Sequence, residues 1–169
     1  MAANSDPAAT ANDVSERCLS GCVRMLSRAV TGIYDEELRD VGIRSGQLHI
    51  LGHLASRGRM TPAEVERMLL MERSTVSRTV RRMCDRGWIE TEPSEDARSH
   101  YLVVTDAGAV MLKEARPAWE RAQAKARAVL GTDGFDALLG LGDVVMEQNG
   151  SDGKAPARPA EPAKAGRAG

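Results

Sequence analysis

Residues 61–88, TPAEVERMLLMERSTVSRTVRRMCDRGW, constrain the fold more tightly than any other part of the chain. Thr61 followed by Pro62, with Glu64 three residues after the threonine, marks a helix start. The hydroxyl and the carboxylate can satisfy each other's backbone N–H groups, and a proline's fixed φ suits the first turn. The helix that opens here is short, Pro62 to about Met68. A second begins near Glu72 and stops at Gly87. Two short helices joined tightly, the second polar on its outer face, form a helix-turn-helix pattern.

The second helix sorts its residues by angle. With Val76 at zero and about 100° per residue, Val80 and Met83 lie beside it and Thr79 and Cys84 flank them. That stripe is the expected core face. Ser74, Thr75, Ser77, Arg78, Arg81, Arg82 and Asp85 occupy the opposite arc, and Arg73 sits in the first turn, within easy reach of a phosphate. Short hydroxyl side chains let a helix backbone approach base edges, and arginine grips guanine bidentately. No lysine precedes Lys113, which favours planar contacts over diffuse attraction. The bland alternative is a solvated charged face. Such a face interleaves carboxylates at i, i+4, whereas residues 73–86 hold five arginines and one aspartate. DNA contact is the better account.

The whole-chain balance gives no such hint, because the formal net charge is -1. Aromatic residues are 3% of the 169, so a core must come mainly from Leu, Val, Ile, Met and Ala. Three cysteines without a CxxC pair argue against a disulfide framework and a zinc ribbon. No apolar run reaches the roughly 18 residues of a membrane span, and MAANSDPAATAND lacks the basic and apolar regions of a secretory signal. The expected location is the cytoplasm, with no membrane partner. Enzyme motifs fail: HExxH, GxSxG and GxxxxGK[ST] are missing, and GLGDVV at 140–145 lacks the third glycine of a dinucleotide fingerprint. The chain reads as a non-enzyme without cofactor.

Composition shifts set the expected boundaries. Residues 1–12 and the Pro/Ala/Gly-rich tail 150–169 have little to bury and read as disordered; 13–149 reads as one domain. In it, VSERCLSGCVRMLSRAVTGIYDEELRDVG has helical periodicity up to Gly42, through Cys18, Cys22, Met25, Ala29 and Ile33, with Leu19, Leu26, Val30 and Leu38 widening the apolar surface. That is more than a small domain covers alone. RSGQLHILGHLASRG predicts a second helix with Leu48, Leu51, Leu54 and Ala55 inward and Gly58 as its stop. WIETE and HYLVVT predict a β-hairpin around PSEDARS. At its tip, Arg98 can enter a neighbouring minor groove with Asp96 bracing it; the alternative is an acidic loop with one compensating arginine. Thr105 and Asp106 start a further helix with a kink expected before Pro117. The last begins at Thr132 or Asp133 and carries Phe135, Leu138, Leu139, Leu141 and Val145 on one face.

RSTVSR at 73–78, DRGWIE at 85–90, DAR at 96–98 and VTDAG at 104–108 together resemble the winged helix-turn-helix of the multiple-antibiotic-resistance regulator (MarR) family, and SRAVTGIYDEELRDVGIRSGQLHIL resembles its first two helices. The resemblance spans roughly 13–149. It implies a mainly α fold: a winged helix-turn-helix at 43–104 with a small β-hairpin wing, and helices at 13–41 and 105–149 that intertwine in a homodimer. It implies double-stranded, pseudo-palindromic DNA as partner, often released by small phenolic ligands or oxidants. Ser74, Thr75, Ser77 and Arg78 would read bases, Arg81 would be shared, Arg73 and Arg82 would hold phosphates, and Arg98 would take the minor groove. A repressor is the expected role. Leu70 stands where the family usually has glycine. Ser20 aligns with the reactive cysteine of the hydroperoxide-sensing branch, which Cys18 and Cys22 flank.

Two alternatives stay open. One is a redox sensor using Cys18, Cys22 or Cys84, although small buried cysteines are commonly packing residues. The other is a winged helix that binds protein and not DNA. A pocket for a phenolic or other aromatic effector, between the dimer helices and the winged domain, has Arg28, Tyr34, His49 and His53 as loose candidates. His49 and His53, four apart, lack an evident third local ligand, so no metal is expected. Trp88 and Trp119 read as packing residues.

Overall fold

A computed structural model of the chain describes residues 7–94 and 99–150. The first two helices are α1 (Pro7–Arg17) and α2 (Leu19–Glu37), followed by α3 (Ser45–Arg57) and the short strand β1 (Arg59–Met60). Helices α4 (Pro62–Leu69) and α5 (Arg73–Asp85) come next, then strands β2 (Ile89–Pro93) and β3 (His100–Val104). Two long helices, α6 (Asp106–Leu130) and α7 (Thr132–Gly150), complete the chain. The sheet is antiparallel in the order β1-β3-β2, with Ile89 opposite Val104 and Pro93 opposite His100. This is a mainly helical winged helix-turn-helix, as expected from the sequence. No helix among the described residues is long and apolar enough to cross a membrane.

The capping box forms as read: Thr61 Oγ1 accepts from Glu64 N–H (3.2 Å), and Glu64 Oε2 accepts from Thr61 N–H (2.6 Å). Val65 and Met68 of α4 and Val76, Val80 and Met83 of α5 then enter one core with Ile50, Leu51 and Leu54 of α3, Trp88, Ile89 and Leu102. Each fully buried aliphatic side chain here contributes about 1.5–3 kcal/mol, and together they fix how α5 rolls. Ile50, absent from the inward set read for α3, is buried, whereas Ala55 is exposed and Leu48 half-buried.

Helices α4 and α5 end in the same way. Met71 N–H donates to the Glu66 carbonyl (3.0 Å) and Leu70 N–H to that of Arg67 (3.4 Å), with Leu70 left-handed at φ 50. Trp88 N–H likewise donates to Met83 (3.0 Å) and Gly87 N–H to Cys84 (2.8 Å), with Gly87 at φ 70. Both are Schellman closures, which favour glycine at the left-handed position. The first closes with a leucine in the left-handed position where the family usually has glycine.

The N-terminal segment differs from the sequence expectation. Helix begins at Pro7, inside the segment read as a disordered arm, and is interrupted at Cys18, whose extended backbone (φ -72, ψ 109) separates α1 from α2. The second helix stops at Glu37, short of Gly42. Gly42, at φ 80, closes a turn onto the Leu38 and Arg39 carbonyls, and this delivers Leu38 and Ile43 to the core. Helix α6 is continuous through Pro117. Ala115, Ala118, Ala122 and Ala126 are buried on both sides of the proline, and this packing against its neighbours holds the helix across the lost hydrogen bond. The tail residues 151–169 lie outside the described residues.

Candidate nucleic-acid interface

The core contacts of α5 leave its other side to solvent. Arg73, Ser74, Ser77, Arg78, Arg81 and Arg82 are exposed, while Thr75 is half-buried and its carbonyl accepts from Thr79 Oγ1 (2.8 Å). None of these arginines is paired with a carboxylate among the described residues; the ion pairs there join other groups. Charge that is neither buried nor compensated projects an uncancelled positive field. The helix adds to it, because its first turn holds no acidic residue and Glu72 makes no side-chain cap. The partial positive end of the dipole is therefore open at the end carrying Arg73 and Ser74.

Supports on either side set this helix. Arg86 places its guanidinium over the Trp88 ring (5.3 Å) and donates to the Gly42 carbonyl (3.4 Å). Behind Trp88, Thr105 N–H donates to the Trp88 carbonyl (3.1 Å), and Thr105 Oγ1 donates to that of Gly87 (2.5 Å) while accepting from Gly108 N–H (3.1 Å). A Cβ on Gly108 would stand 2.1 Å from the Trp88 carbonyl oxygen. Thr105 and Gly108 of the VTDAG motif thus hold the start of α6 against the end of α5. The wing strands carry Arg59 over Tyr101 (4.3 Å). Asp96 and Arg98, assigned to the wing tip, lie outside the described residues.

A cavity of about 970 Å³ lies between α2, α3 and α6. Of the residues named from the sequence, Tyr34, His49 and His53 line it and Arg28 does not. The basic residue at the cavity is Arg116, which also pairs with Glu120 (2.9 Å). One wall has no counterpart among the residues named from the sequence: Leu112, Ala115, Arg116 and Trp119 follow each other at i, i+3, i+4 and i+7 on α6. That periodic face mixes apolar and polar residues and was the available signal. Trp119, read as packing, is 39% exposed and faces this space, unlike the buried Trp88. Ser45 and Ser56 bring hydroxyls from α3. Asp35 closes the start of that helix, accepting from Ser45 N–H (2.8 Å) and pairing with Arg44 (3.4 Å).

His49 and His53 bring their Nε2 atoms to 3.0 Å, with ring centroids 4.6 Å apart. Burial, then the charges of His49 and Arg57, push the His53 imidazolium down to about 4, so His53 is neutral at pH 7. Burial raises the Tyr34 phenol, which keeps it a neutral hydroxyl. The cysteines are placed differently from one another. Cys18 and Cys22 are exposed, contrary to the packing role read for them, and Cys84 is half-buried against the core. Burial, then the neighbouring Asp85 charge, raises the Cys84 thiol, the reverse of what a reactive thiolate needs.

Comparison with known proteins gives the same picture. The sequence profile of the MarR family matches residues 41–99, the segment that holds the helix-turn-helix and the first strand of the wing. An uncharacterised HTH-type transcriptional regulator of Bacillus subtilis, YwoH, is 30% identical over 103 residues, which cover 61% of this chain and 70% of that protein. Among solved structures, a mutant of Escherichia coli MarR complexed with operator DNA is similar with a TM-score of 0.68 at 20% identity, covering 79% of this chain and 97% of the other. The Mycobacterium tuberculosis transcriptional regulator MOSR in complex with DNA is similar with a TM-score of 0.65 at 25% identity, covering 76% and 96%.

Proposed function

This chain belongs to the MarR family of transcriptional regulators, and from that premise we propose that it is a homodimeric repressor of a pseudo-palindromic operator, released by a small aromatic ligand. The observation that carries the reading is the face of α5: Arg73, Arg78, Arg81 and Arg82 exposed and unpaired among the described residues, on a helix whose Val76, Val80 and Met83 are locked in the core. A rigid helix with short hydroxyl side chains near its N-terminus and arginines beyond them suits the major groove. In this reading Ser74, Thr75, Ser77 and Arg78 read bases, Arg81 serves both roles, and Arg73 and Arg82 hold phosphates. Arg98, supported by Asp96, takes the minor groove. The two relatives solved with DNA support duplex DNA as the partner.

Dimerisation is supported by apolar surface left without cover. Leu19, Val23 and Met25 of α2 and Leu138, Leu139, Leu141, Val144 and Val145 of α7 are exposed large hydrophobic residues. A second copy covering these helices would hold two α5 helices about 34–36 Å apart, one turn of DNA. The cavity supports the ligand: Trp119 and Leu112 offer apolar walls, and Arg116 a counter-charge for an acid.

The test is selection from a random duplex library followed by titration of the selected site. An enriched palindrome is expected, and its absence would favour a protein-binding winged helix. Arg78→Ala should cost about 1–3 kcal/mol and relax specificity, whereas Arg82→Ala should weaken all sequences alike and flatten the salt slope by about one unit. Equal loss of specificity in both variants refutes the division of labour.

A further inference from the structure

The paired imidazoles of α3 do more than line a cavity. His49 and His53 are one helical turn apart on a regular 13-residue helix, outside the hydrophobic core, and they meet nitrogen to nitrogen rather than stacking. Their Nε2 atoms are 3.0 Å apart. Two nitrogens at that separation, each at the ~2.1 Å of a metal–imidazole bond, subtend about 90° at a shared cation. A right angle is the cis arrangement of tetragonal and octahedral sites, and imidazole suits nickel and copper. We infer that His49 and His53 form a two-nitrogen chelate for a first-row divalent cation of the nickel or copper type, open towards the cavity between α2, α3 and α6.

The chemistry balances without any co-reactant. In the pair as it stands, one Nε2–H donates to the other Nε2 lone pair. On chelation that proton moves to Nδ1 of the same ring, both Nε2 lone pairs face the cation, and no net proton is released. Among the described residues no group of three His, Cys, Asp or Glu gathers around a point, so the protein supplies two positions and leaves the others for water. The Tyr34 and Ser56 hydroxyls line the same cavity. The inference concerns the cation alone and stands whether or not the protein is released from DNA by a ligand.

Ni2+ titration of the full chain tests it. Cys18 and Cys22, soft ligands four residues apart, are exposed, so the titration is done in a Cys18→Ser/Cys22→Ser background. Trp119 lines the cavity and reports occupancy by fluorescence quenching, with calorimetry giving the stoichiometry. One Ni2+ per chain with quenched emission is expected. Loss of an outer-shell partner typically weakens a metal site ~10–100-fold, and loss of a direct ligand in His49→Gln or His53→Gln should weaken it by at least that much. Both positions lie outside the core, so each variant folds, which its circular dichroism checks. Absence of saturable binding in the parent, or equal affinity in parent and both variants, overturns the inference.

Discussion

Gly108→Ala is the sharpest structural test. Alanine is the better helix former by about 0.8–1 kcal/mol, so propensity alone predicts that the substitution stabilises α6. The surroundings of Gly108 predict the opposite. An added Cβ would lie 2.1 Å from the Trp88 carbonyl oxygen, 2.9 Å from Val104 Cγ1 and 3.0 Å from the Trp88 carbonyl carbon. An ordinary carbon–oxygen contact is about 3.3 Å, so the carbonyl and the helix must separate by about 1 Å. Neither gives way cheaply. Trp88 and Ile89 are 5% and 2% exposed, and the Trp88 carbonyl accepts the Thr105 N–H. Overpacking costs about 1–3 kcal/mol and a weakened buried backbone hydrogen bond about 1 more. Loosening the Thr105 cap adds roughly 0.5–2 kcal/mol. Less the gain in propensity, the net loss is about 1.5–5 kcal/mol, a large share of the ~5–15 kcal/mol that holds a domain together. Urea unfolding followed by circular dichroism measures it, at one fixed protein concentration because the stability of the proposed dimer depends on concentration. The melting temperature should fall by about 5–15 °C. Gly46→Ala, also within a helix but with nothing within 4 Å of the added atom, is the control and should be neutral or stabilising. A Gly108→Ala protein within 1 kcal/mol of the parent refutes the reasoning.

Leu70→Gly should behave unlike other leucine losses. Leu70 is 63% exposed and sits at φ 50, so relief of left-handed strain of about 1–2 kcal/mol outweighs an unfolded-state cost of about 0.5–1. Chemical denaturation should show equal or slightly raised stability, and a clear loss would sink the strain argument. Glu37 pairs with Arg121 (2.7 Å) and Lys125 (2.5 Å), tying α2 to α6, and the hydrogen bonds from Lys125 and then Arg121 hold its carboxyl below the usual range. A carboxyl lowered in the folded state adds stability that is complete above its unfolded value near 4.5 and is lost as the pH falls further. Glu37→Gln should therefore lower stability at pH 7 and shallow the acid limb; an unchanged limb in a pH series of melts would count against the pair. Replacing Leu141 and Val145 with aspartate puts charge on the apolar face of α7 and should shift sedimentation from dimer towards monomer. An unaltered profile would mean that this face is not the interface.

The sequence was most legible where chemistry is local. Thr61 and Glu64 specify a cap within four residues, and Val76, Val80 and Met83 specify a face within eight, so α4 and α5 were readable in type and orientation. Helix ends set by distant packing were not. Nothing near Glu37 marks a helix stop; α2 ends there because Leu38 and Ile43 must reach a core built by α3 to α5. Pro117 misled for the same reason, since the alanines at 115, 118, 122 and 126 bury both halves of α6 and override a local breaker. At the cavity, the i, i+4 spacing of His49 and His53 was visible in the sequence. The α6 wall shows in the sequence only as a mixed i, i+3, i+4, i+7 face, because Arg116 and Trp119 become neighbours of those histidines only after α6 crosses α3. Arg28 was misplaced by the converse error, as sharing α2 with Tyr34 does not put it on the same face.

Helix α6 links every feature assigned here. Its first turn is clamped to the end of α5 through Thr105 and Gly108, and its next turns form a cavity wall with Leu112, Ala115, Arg116 and Trp119. Arg121 and Lys125 then tie it to α2, and Arg127 ties it to α7 through Asp136 (3.1 Å). Anything that wedges the cavity therefore loads the same rod that sets the α5 end and carries the apolar helices of the proposed dimer. In the proposed repressor a ligand releases DNA only if it binds better to an arrangement whose two α5 helices no longer match the operator. A hundredfold loss of DNA affinity corresponds to about 2.8 kcal/mol of coupling, and by linkage operator DNA must weaken the ligand by the same hundredfold. A compound that fills the cavity yet binds free and DNA-bound protein equally is an occupant and not an inducer, however tightly it binds.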